Sequence, residues 1–156
     1  GGGNLTNTAA SSGLIKGAVG LNTDFSFDVQ YNKSGANPQG KALVTVRSFY
    51  KPDGTLDNKL HTYVITSNAI SLLAVTTPKA NFSSKANLVE QLDNGTTVGI
   101  DSGTAFQLAL TDGGSLDTLA ITLQRKAGGL WFSSNWSAAT GKAVETAIVG
   151  GNLSVK

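Results

Sequence analysis

The sequence predicts an all-β fold: a single antiparallel β-sandwich of the jelly-roll or immunoglobulin-like kind, built from about ten short strands. Apolar and polar residues alternate with a period of two along most of the chain, and turn residues recur about every 8 to 14 residues. No segment sustains the 3.6-residue period of an amphipathic helix. A closed barrel is the alternative that the same pattern allows.

The first long strands are predicted between residues 21 and 50. One face of the segment 21–31 carries Phe25, Phe27, Val29 and Tyr31, and the intervening residues are polar. Residues 32–40 break this alternation, and it resumes from Lys41 to Tyr50. Pro52-Asp53-Gly54 then predicts a turn, because proline presets φ and glycine accepts a positive φ.

The middle of the chain predicts three further strands, at His61–Thr66, Ala69–Thr77 and Ala80–Leu92, with Pro78 between the last two. Asn94-Gly95 favours a tight hairpin after them.

The final third predicts strands around residues 106–110, 119–123 and 130–134, and a last strand from 147 to 155 that Gly150-Gly151 interrupts. Residues 138–146 are interpreted as a loop or a single helical turn. The predicted core contains Phe25, Phe27, Val29, Val44, Val46, Phe106, Leu108, Leu110, Leu119, Ile121 and Leu123.

Composition excludes several classes of protein. Only 14% of residues are charged and the formal net charge is +2, without the clustered Lys and Arg of a nucleic-acid site. No apolar run is long enough for a membrane span. Without cysteine there is no disulfide framework and no thiolate metal site. We expect residues 1–156 to form one domain of a larger secreted protein, with no leader peptide in the given sequence.

The residues also argue against an enzyme. His61 is the one histidine, and on a strand edge an exposed or hydrogen-bonded histidine is the ordinary finding. No serine lies in a G-x-S-x-G motif. The ten acidic residues fall mostly at turns or on the polar faces of strands, where they are solvated. The prediction is a protein without catalytic residues and without a required cofactor.

Calcium is the one metal that the sequence allows. Asp112 and Asp117 flank a glycine turn, and calcium takes carboxylate and carbonyl oxygens from such loops. The alternative is that both carboxylates cap the turn by accepting backbone N–H bonds. The spacing does not match the twelve-residue EF-hand loop, so both interpretations stay open.

Both tryptophans lie within six residues of each other, at Trp131 and Trp136. Exposed, they would form an aromatic platform for a sugar ring, with Tyr63 as a further candidate. The alternative is that they fill the core, with each indole N–H bonded to a polar partner.

The order of segments resembles that of small C-terminal β-sandwich modules of large secreted or cell-surface bacterial proteins, which lie beside choice-of-anchor, immunoglobulin-like or cadherin-like domains. The segments that carry this resemblance are Gly1–Gly3, Phe25–Tyr31, Pro38–Gly40, Lys41–Arg47, Ile70–Val75, Lys79–Lys85, Phe106–Gly113, Asp117–Leu123, Trp131–Trp136 and Gly150–Val155. Ser83-Ser84 departs from the family, where a glycine is usual, and so does Lys156, where a histidine is frequent.

The resemblance implies an extracellular, bacterial location and a non-catalytic structural or adhesive role, with neighbouring domains as partners. A carbohydrate-binding module with polysaccharide as its ligand is the alternative. The family supplies no catalytic or ligand residues, and oligomeric state is left open.

The glycines at both ends predict one more contact. Gly1–Leu5 and Gly150–Val155 should run side by side, because glycine permits close approach of two backbones. Such pairing would cover a sheet edge that is otherwise exposed.

Overall fold

The structure is a computed structural model that describes all residues from 1 to 156, and it contains strands, turns and loops only. It has no helix that is long and apolar enough to cross a bilayer. The strands in chain order are β1 (Gly2–Thr6), β2 (Asn22–Tyr31), β3 (Pro38–Tyr50), β4 (Leu56–Thr76), β5 (Lys79–Gln91), β6 (Thr97–Thr111), β7 (Thr118–Gln124), β8 (Leu130–Ser133), β9 (Trp136–Ser137), β10 (Lys142–Ala143), β11 (Thr146–Ala147) and β12 (Gly150–Asn152).

Ten of the strands form one antiparallel sheet in the order β11-β7-β6-β5-β4-β3-β2-β1-β12, with β8 also paired to β7. The other two, β9 and β10, form a small hairpin. The predicted all-β antiparallel class is confirmed. From β1 to β8 each strand pairs with the next one along the chain. This is a meander, whereas jelly-roll and immunoglobulin-like sandwiches contain Greek-key connections.

The sheet curls until its two halves face each other across one core, as in a sandwich. In a flat sheet β2 and β5 would lie about 14 Å apart, three strand spacings. The rings of Phe27 and Phe82 on these strands are nevertheless only 5.8 Å apart. Irregular pairing between β4 and β5 at residues 67–72 contributes to the bend, because a bulge bends a strand and increases its twist.

Strand β4 is longer than the sequence predicted. The segments 61–66 and 69–77 were predicted as two strands, but one strand of 21 residues spans most of both. Its buried residues alternate up to Ser67 and then continue at Ile70 and Leu73. The bulge therefore interrupts the alternation of buried and exposed residues within one continuous strand. In the sequence such an interruption resembles the boundary between two strands.

The predicted core is confirmed, with two of its members near the rim. Nine of its eleven residues are buried, while Phe27 and Val29 are partly buried against the core cluster. The cluster also contains residues that the prediction left out, among them Tyr63, Ile65 and Leu153. Within the segment 138–146, residues 138–141 form a single turn that leads into β10, and the N–H of Gly141 closes it by donating to the carbonyl of Ser137 at 2.9 Å.

The predicted contact between the two end segments is confirmed as well. Gly2 pairs with Asn152 and Asn4 with Gly150. A few residues earlier, Thr146 pairs with Leu119 of β7. The segment 146–153 therefore joins the two outer strands of the curled sheet, β7 and β1, and we call it the seam.

Candidate functional site: the cleft under Trp136

The β9–β10 hairpin folds back over the outer surface of the sheet. After β8 the chain turns at Ser134, whose backbone N–H donates to the carbonyl of Ile121 at 3.1 Å and whose hydroxyl accepts from the N–H of Ile121 at 2.9 Å. The N–H of Trp136 then donates to the carbonyl of Ala10 at 2.9 Å. These bonds hold the hairpin, and with it the indole of Trp136, beside β7.

A cleft of about 370 Å³ lies between this hairpin and the outer face of β5, β6 and β7. The strand register defines its floor. Ser83 pairs with Gln107 and Gln107 with Thr122, so their side chains form one row across the three strands. Asn81 begins the adjacent row on the same face. A pocket of this volume lies within the range that holds small ligands.

The polar side chains of the cleft have no partner inside the protein. The side chains of Asn81, Ser83, Gln107, Thr122 and Gln124 line the cleft, and none of them makes a hydrogen bond to another part of the chain. The indole N–H of Trp136, which is partly buried at the wall, also has no acceptor. Hydroxyl and amide groups both donate and accept. The cleft therefore presents one aromatic surface and a row of neutral hydrogen-bonding groups.

The three aromatic residues that the sequence singled out are not brought together. Trp131 is 6% exposed, and its indole N–H donates to Asp101 at 2.8 Å while the guanidinium of Arg125 covers its ring. Tyr63 is fully buried, and its hydroxyl donates to the carbonyl of Tyr50 at 2.7 Å. Trp136 alone lines the cleft.

The surroundings of Tyr63 and Asp101 shift the pKa values of these two side chains in opposite directions. Burial raises the pKa of Tyr63, so this phenol stays protonated and serves as a hydrogen-bond donor. Burial by itself would raise the pKa of Asp101, but N–H bonds from Trp131, Lys126 and Ser102 outweigh it and lower that pKa. Tyr63 and Trp131 thus occupy structural positions with their polar atoms satisfied.

Asp112 and Asp117 hold the seam to the turn between β6 and β7. The carboxylate of Asp117, which is buried, accepts from the N–H groups of Gly113 at 3.0 Å and Leu153 at 2.9 Å. That of Asp112 accepts from Gly114 at 3.2 Å and Val155 at 3.3 Å. All four oxygens thus face N–H donors, which is the capping arrangement. No group of three or more His, Cys, Asp or Glu residues has the geometry of a metal site. Calcium binding at Asp112 and Asp117 stays a prediction, and a bound ion would have to share these oxygens with their N–H donors.

A second polar cluster, which sequence reasoning missed, surrounds His61. Its Nδ1 lies 2.7 Å from Glu90 and its Nε2 lies 2.8 Å from Asp57. Burial tends to lower the pKa of His61, but the bonds and charges of the two carboxylates outweigh it and raise that pKa. Only an imidazolium can donate from both nitrogens. No serine or threonine hydroxyl bonds to His61, so the cluster is an ion-pair network without a nucleophile.

The residues of the cleft floor could have been found only in part from the sequence. They are the polar partners of the alternation that assigned Phe106, Leu108 and Ile121 to the core. Alternation gives the outward face, but only the position of the hairpin selects the rows that line the cleft. Comparison of the chain with protein-family models, with curated proteins and with solved structures finds no match.

Proposed function

We propose that the chain is a non-catalytic module of a secreted or surface-exposed bacterial protein, with a structural or adhesive role beside neighbouring domains. Three features support this proposal: the surface rich in Gly, Ser, Thr and Asn, the hydrogen-bonded seam, and polar clusters that are occupied by internal bonds. The family resemblance supports the location. In this proposal the module contributes rigidity and a binding surface rather than chemistry.

The cleft favours a specific form of this role, binding of carbohydrate. The observation that carries it is the row Ser83, Gln107 and Thr122 beside Trp136, all without internal partners. Sugars offer apolar C–H faces that pack on an aromatic ring and hydroxyls that exchange hydrogen bonds with amides and hydroxyls. Recognition by an adhesive module would then occur at Trp136, whereas Trp131 and Tyr63 would stabilise the fold.

Calorimetric titration with soluble cell-wall polysaccharides tests this form of the proposal. The native chain should bind at least one of them weakly, and Trp136→Ala should weaken binding by about two- to tenfold, the equivalent of one aromatic contact. Trp131→Phe is the matched control, because it also removes a tryptophan but lies outside the cleft; it should leave affinity unchanged. Absence of binding to every polysaccharide, or equal losses in both variants, would refute carbohydrate binding at the cleft.

Two further measurements test the broader role. Prolonged incubation with any polysaccharide that binds should release no new reducing ends, since the cleft has no acid–base pair. Antibodies raised against the chain should label intact cells of the organism that encodes it. Release of reducing ends that Trp136→Ala abolishes would overturn the non-catalytic role, and labelling only after lysis would overturn the surface location.

A further inference from the structure

The cleft on the outer face of β5, β6 and β7 is flanked by lysines, and no Asp or Glu lines it. Lys85 pairs with Ala105 and Ala105 with Gln124, so Lys85 lies one row from Ser83 on the same face. On the opposite wall Lys142, at the start of β10, lines the cleft and is exposed. Two lysines therefore flank the neutral groups of the floor.

Neither lysine is neutralised within the chain. The ion pairs of the protein are Arg47 with Asp24, Lys59 with Asp93, and His61 with its two carboxylates. Lys85 and Lys142 belong to none of them. A nearby Asp or Glu would offset such a lysine, and no Asp or Glu lines the cleft.

Glu145, which is close to Lys142 in the chain, is already engaged. Its Oε1 accepts from the hydroxyls of Thr111 at 2.8 Å and Thr118 at 2.9 Å. These threonines share the row of Lys79, beyond the row of Asn81. Glu145 therefore lies at the end of the face, away from the rows of Ser83 and Lys85.

We infer that the ligand of the cleft is an acidic carbohydrate, a sugar chain that bears carboxylate, sulfate or phosphate groups. This inference rests on the proposed carbohydrate binding and adds the charge of the ligand to it. Trp136 and the row of Ser83 contact the sugar ring, and Lys85 and Lys142 attract the anionic groups on either side. The two lysines are then the residues that distinguish acidic from neutral sugars, while the neutral floor is common to both.

The charge arrangement favours a sugar over a single-stranded nucleic acid, which is also anionic and can stack on tryptophan. Nucleic-acid channels use rows of basic residues along the backbone and several aromatic platforms. The cleft has one tryptophan, and the polar groups of its floor are neutral amides and hydroxyls. Such groups match hydroxyls closely spaced around a ring.

The test rests on two polymers, dextran and dextran sulfate, that share a backbone and differ in charge. Dextran and dextran sulfate are titrated into the native chain, with polygalacturonate and poly(glycerol phosphate) as carboxylate and phosphate probes. Dextran sulfate should bind more tightly than dextran, and its affinity should fall as salt rises, since exposed charges are screened. The rank of the three acidic polymers identifies which anionic group the site prefers.

A double variant, Lys85→Gln with Lys142→Gln, shows whether the cleft creates that preference. It should weaken binding of the acidic polymers by about two- to tenfold, the range for two exposed charge pairs, and leave dextran unchanged. The matched control is Lys33→Gln with Lys51→Gln, which removes the same two charges at turns outside the cleft. The control should retain the native preference.

The outcomes separate this inference from the function on which it rests. Equal binding of dextran and dextran sulfate would overturn the acidic ligand and leave carbohydrate binding intact. Equal losses in the two double variants would show unspecific attraction and also overturn it. Tighter binding of a single-stranded oligonucleotide than of all three acidic polymers would replace the sugar by a nucleic acid. Binding of none of these polymers would overturn the acidic ligand, and carbohydrate binding itself would be decided by the titration with cell-wall polysaccharides.

Discussion

The seam and the cleft are both rich in small polar residues, yet they use them in opposite ways. At the seam the side-chain carboxylate of Asp117 accepts hydrogen bonds from the backbone N–H groups of Gly113 and Leu153. The backbone carbonyl of Asp117 accepts from the N–H of Ile148 at 3.1 Å. In the cleft the polar side chains face open space and make no internal bond. Polar groups that satisfy one another stabilise a fold, whereas those left without a partner in a concave site are available to a ligand.

This difference leads to a general expectation about substitutions. A change at the seam should lower the free energy of unfolding, because it leaves buried backbone groups without a partner. A change in the cleft should alter binding and leave stability nearly unchanged.

Asp117→Ala should cause the largest loss of stability. It removes the carboxylate that accepts from two backbone N–H groups, one of which belongs to buried Leu153. Hydrogen bonds to charged groups contribute about 1.5 to 3 kcal/mol, so we expect a loss of about 3 kcal/mol. Urea unfolding followed by tryptophan fluorescence measures it.

Asp112→Ala is the control for that change. Its bonds to Gly114 and Val155 are longer, at 3.2 and 3.3 Å, and the first is exposed. We expect a loss below about 1 kcal/mol. Similar losses in the two variants would contradict the role given to Asp117. Melting with added calcium and with chelator completes this test, because a midpoint that rises with calcium in the native chain and not in Asp112→Ala would support calcium binding at these carboxylates.

Gly151→Ala should give the next largest effect. Gly151 has φ +92°, and a Cβ there would lie 2.0 Å from the carbonyl oxygen of Gly2 across the β1–β12 pair. The substituted backbone would have to separate at the seam, at a cost of about 2 kcal/mol. Thermal unfolding of the variant measures the loss.

The neighbouring glycine provides a matched control. A Cβ at Gly150 would first meet a side-chain atom of Asn4 at 3.1 Å, and that side chain can move. Gly150→Ala should therefore cost less than 1 kcal/mol, about the ordinary penalty for a crowded surface site. If both variants unfold at the native temperature, close backbone pairing of β1 with β12 is wrong.

The His61 cluster sharpens the comparison, because it satisfies its polar groups internally but depends on pH. Folding raises the pKa of His61 above the value of about 6.5 that it has in the unfolded chain. The stability that this histidine contributes is therefore complete below about pH 6.5 and is lost as the pH rises through the pKa of the folded state. The free energy of unfolding should thus decline from about pH 6.5 upward. His61→Gln should remove this decline.

Subtraction of the two pH profiles isolates the histidine from other groups, including the amino group of Gly1, whose pKa burial lowers. Asp57 affects stability at acidic pH. The hydrogen bond from His61 lowers the pKa of Asp57, so the stability that this carboxylate contributes is lost as the pH falls below about 3.9, the ordinary pKa of an aspartate. Parallel profiles for the native chain and His61→Gln between pH 6 and 8 would contradict the ion-pair network.

The sequence predicted the inner face of the molecule much better than its sites. Alternation identified Phe25, Val44 and Leu108 as buried because inward positions repeat with a fixed period of two. The glycines at both ends separately predicted that Gly1–Leu5 and Gly150–Val155 run side by side, because glycine permits close approach of two backbones. Local patterns of this kind determine which face of a strand is buried.

The sites depend on contacts between residues far apart in the chain, and no local pattern encodes those. His61 meets Glu90 only because β4 pairs with β5 in one register. Trp131 and Trp136 look alike in the sequence, yet the turn at Ser134 sends the first into the core and the second onto the outer face. The bulge at residues 67–72 similarly hid the continuity of β4.

The smallest effect on stability is expected in the cleft itself. Gln107→Ala removes an exposed side chain that has no internal hydrogen bond, from the middle of the row on β6. Surface substitutions of this kind usually change the free energy of unfolding by less than about 0.5 kcal/mol. In titrations with a polysaccharide that binds, however, the loss of a hydrogen bond worth about 0.5 to 1.5 kcal/mol should weaken affinity about two- to tenfold.

The matched control is Gln39→Ala, because Gln39 is also an exposed glutamine but lies on β3 outside the cleft. This control should change neither the free energy of unfolding nor the affinity. A stability loss comparable to that of Asp117→Ala would mean that Gln107 is bound internally, and the contrast between cleft and seam would fail.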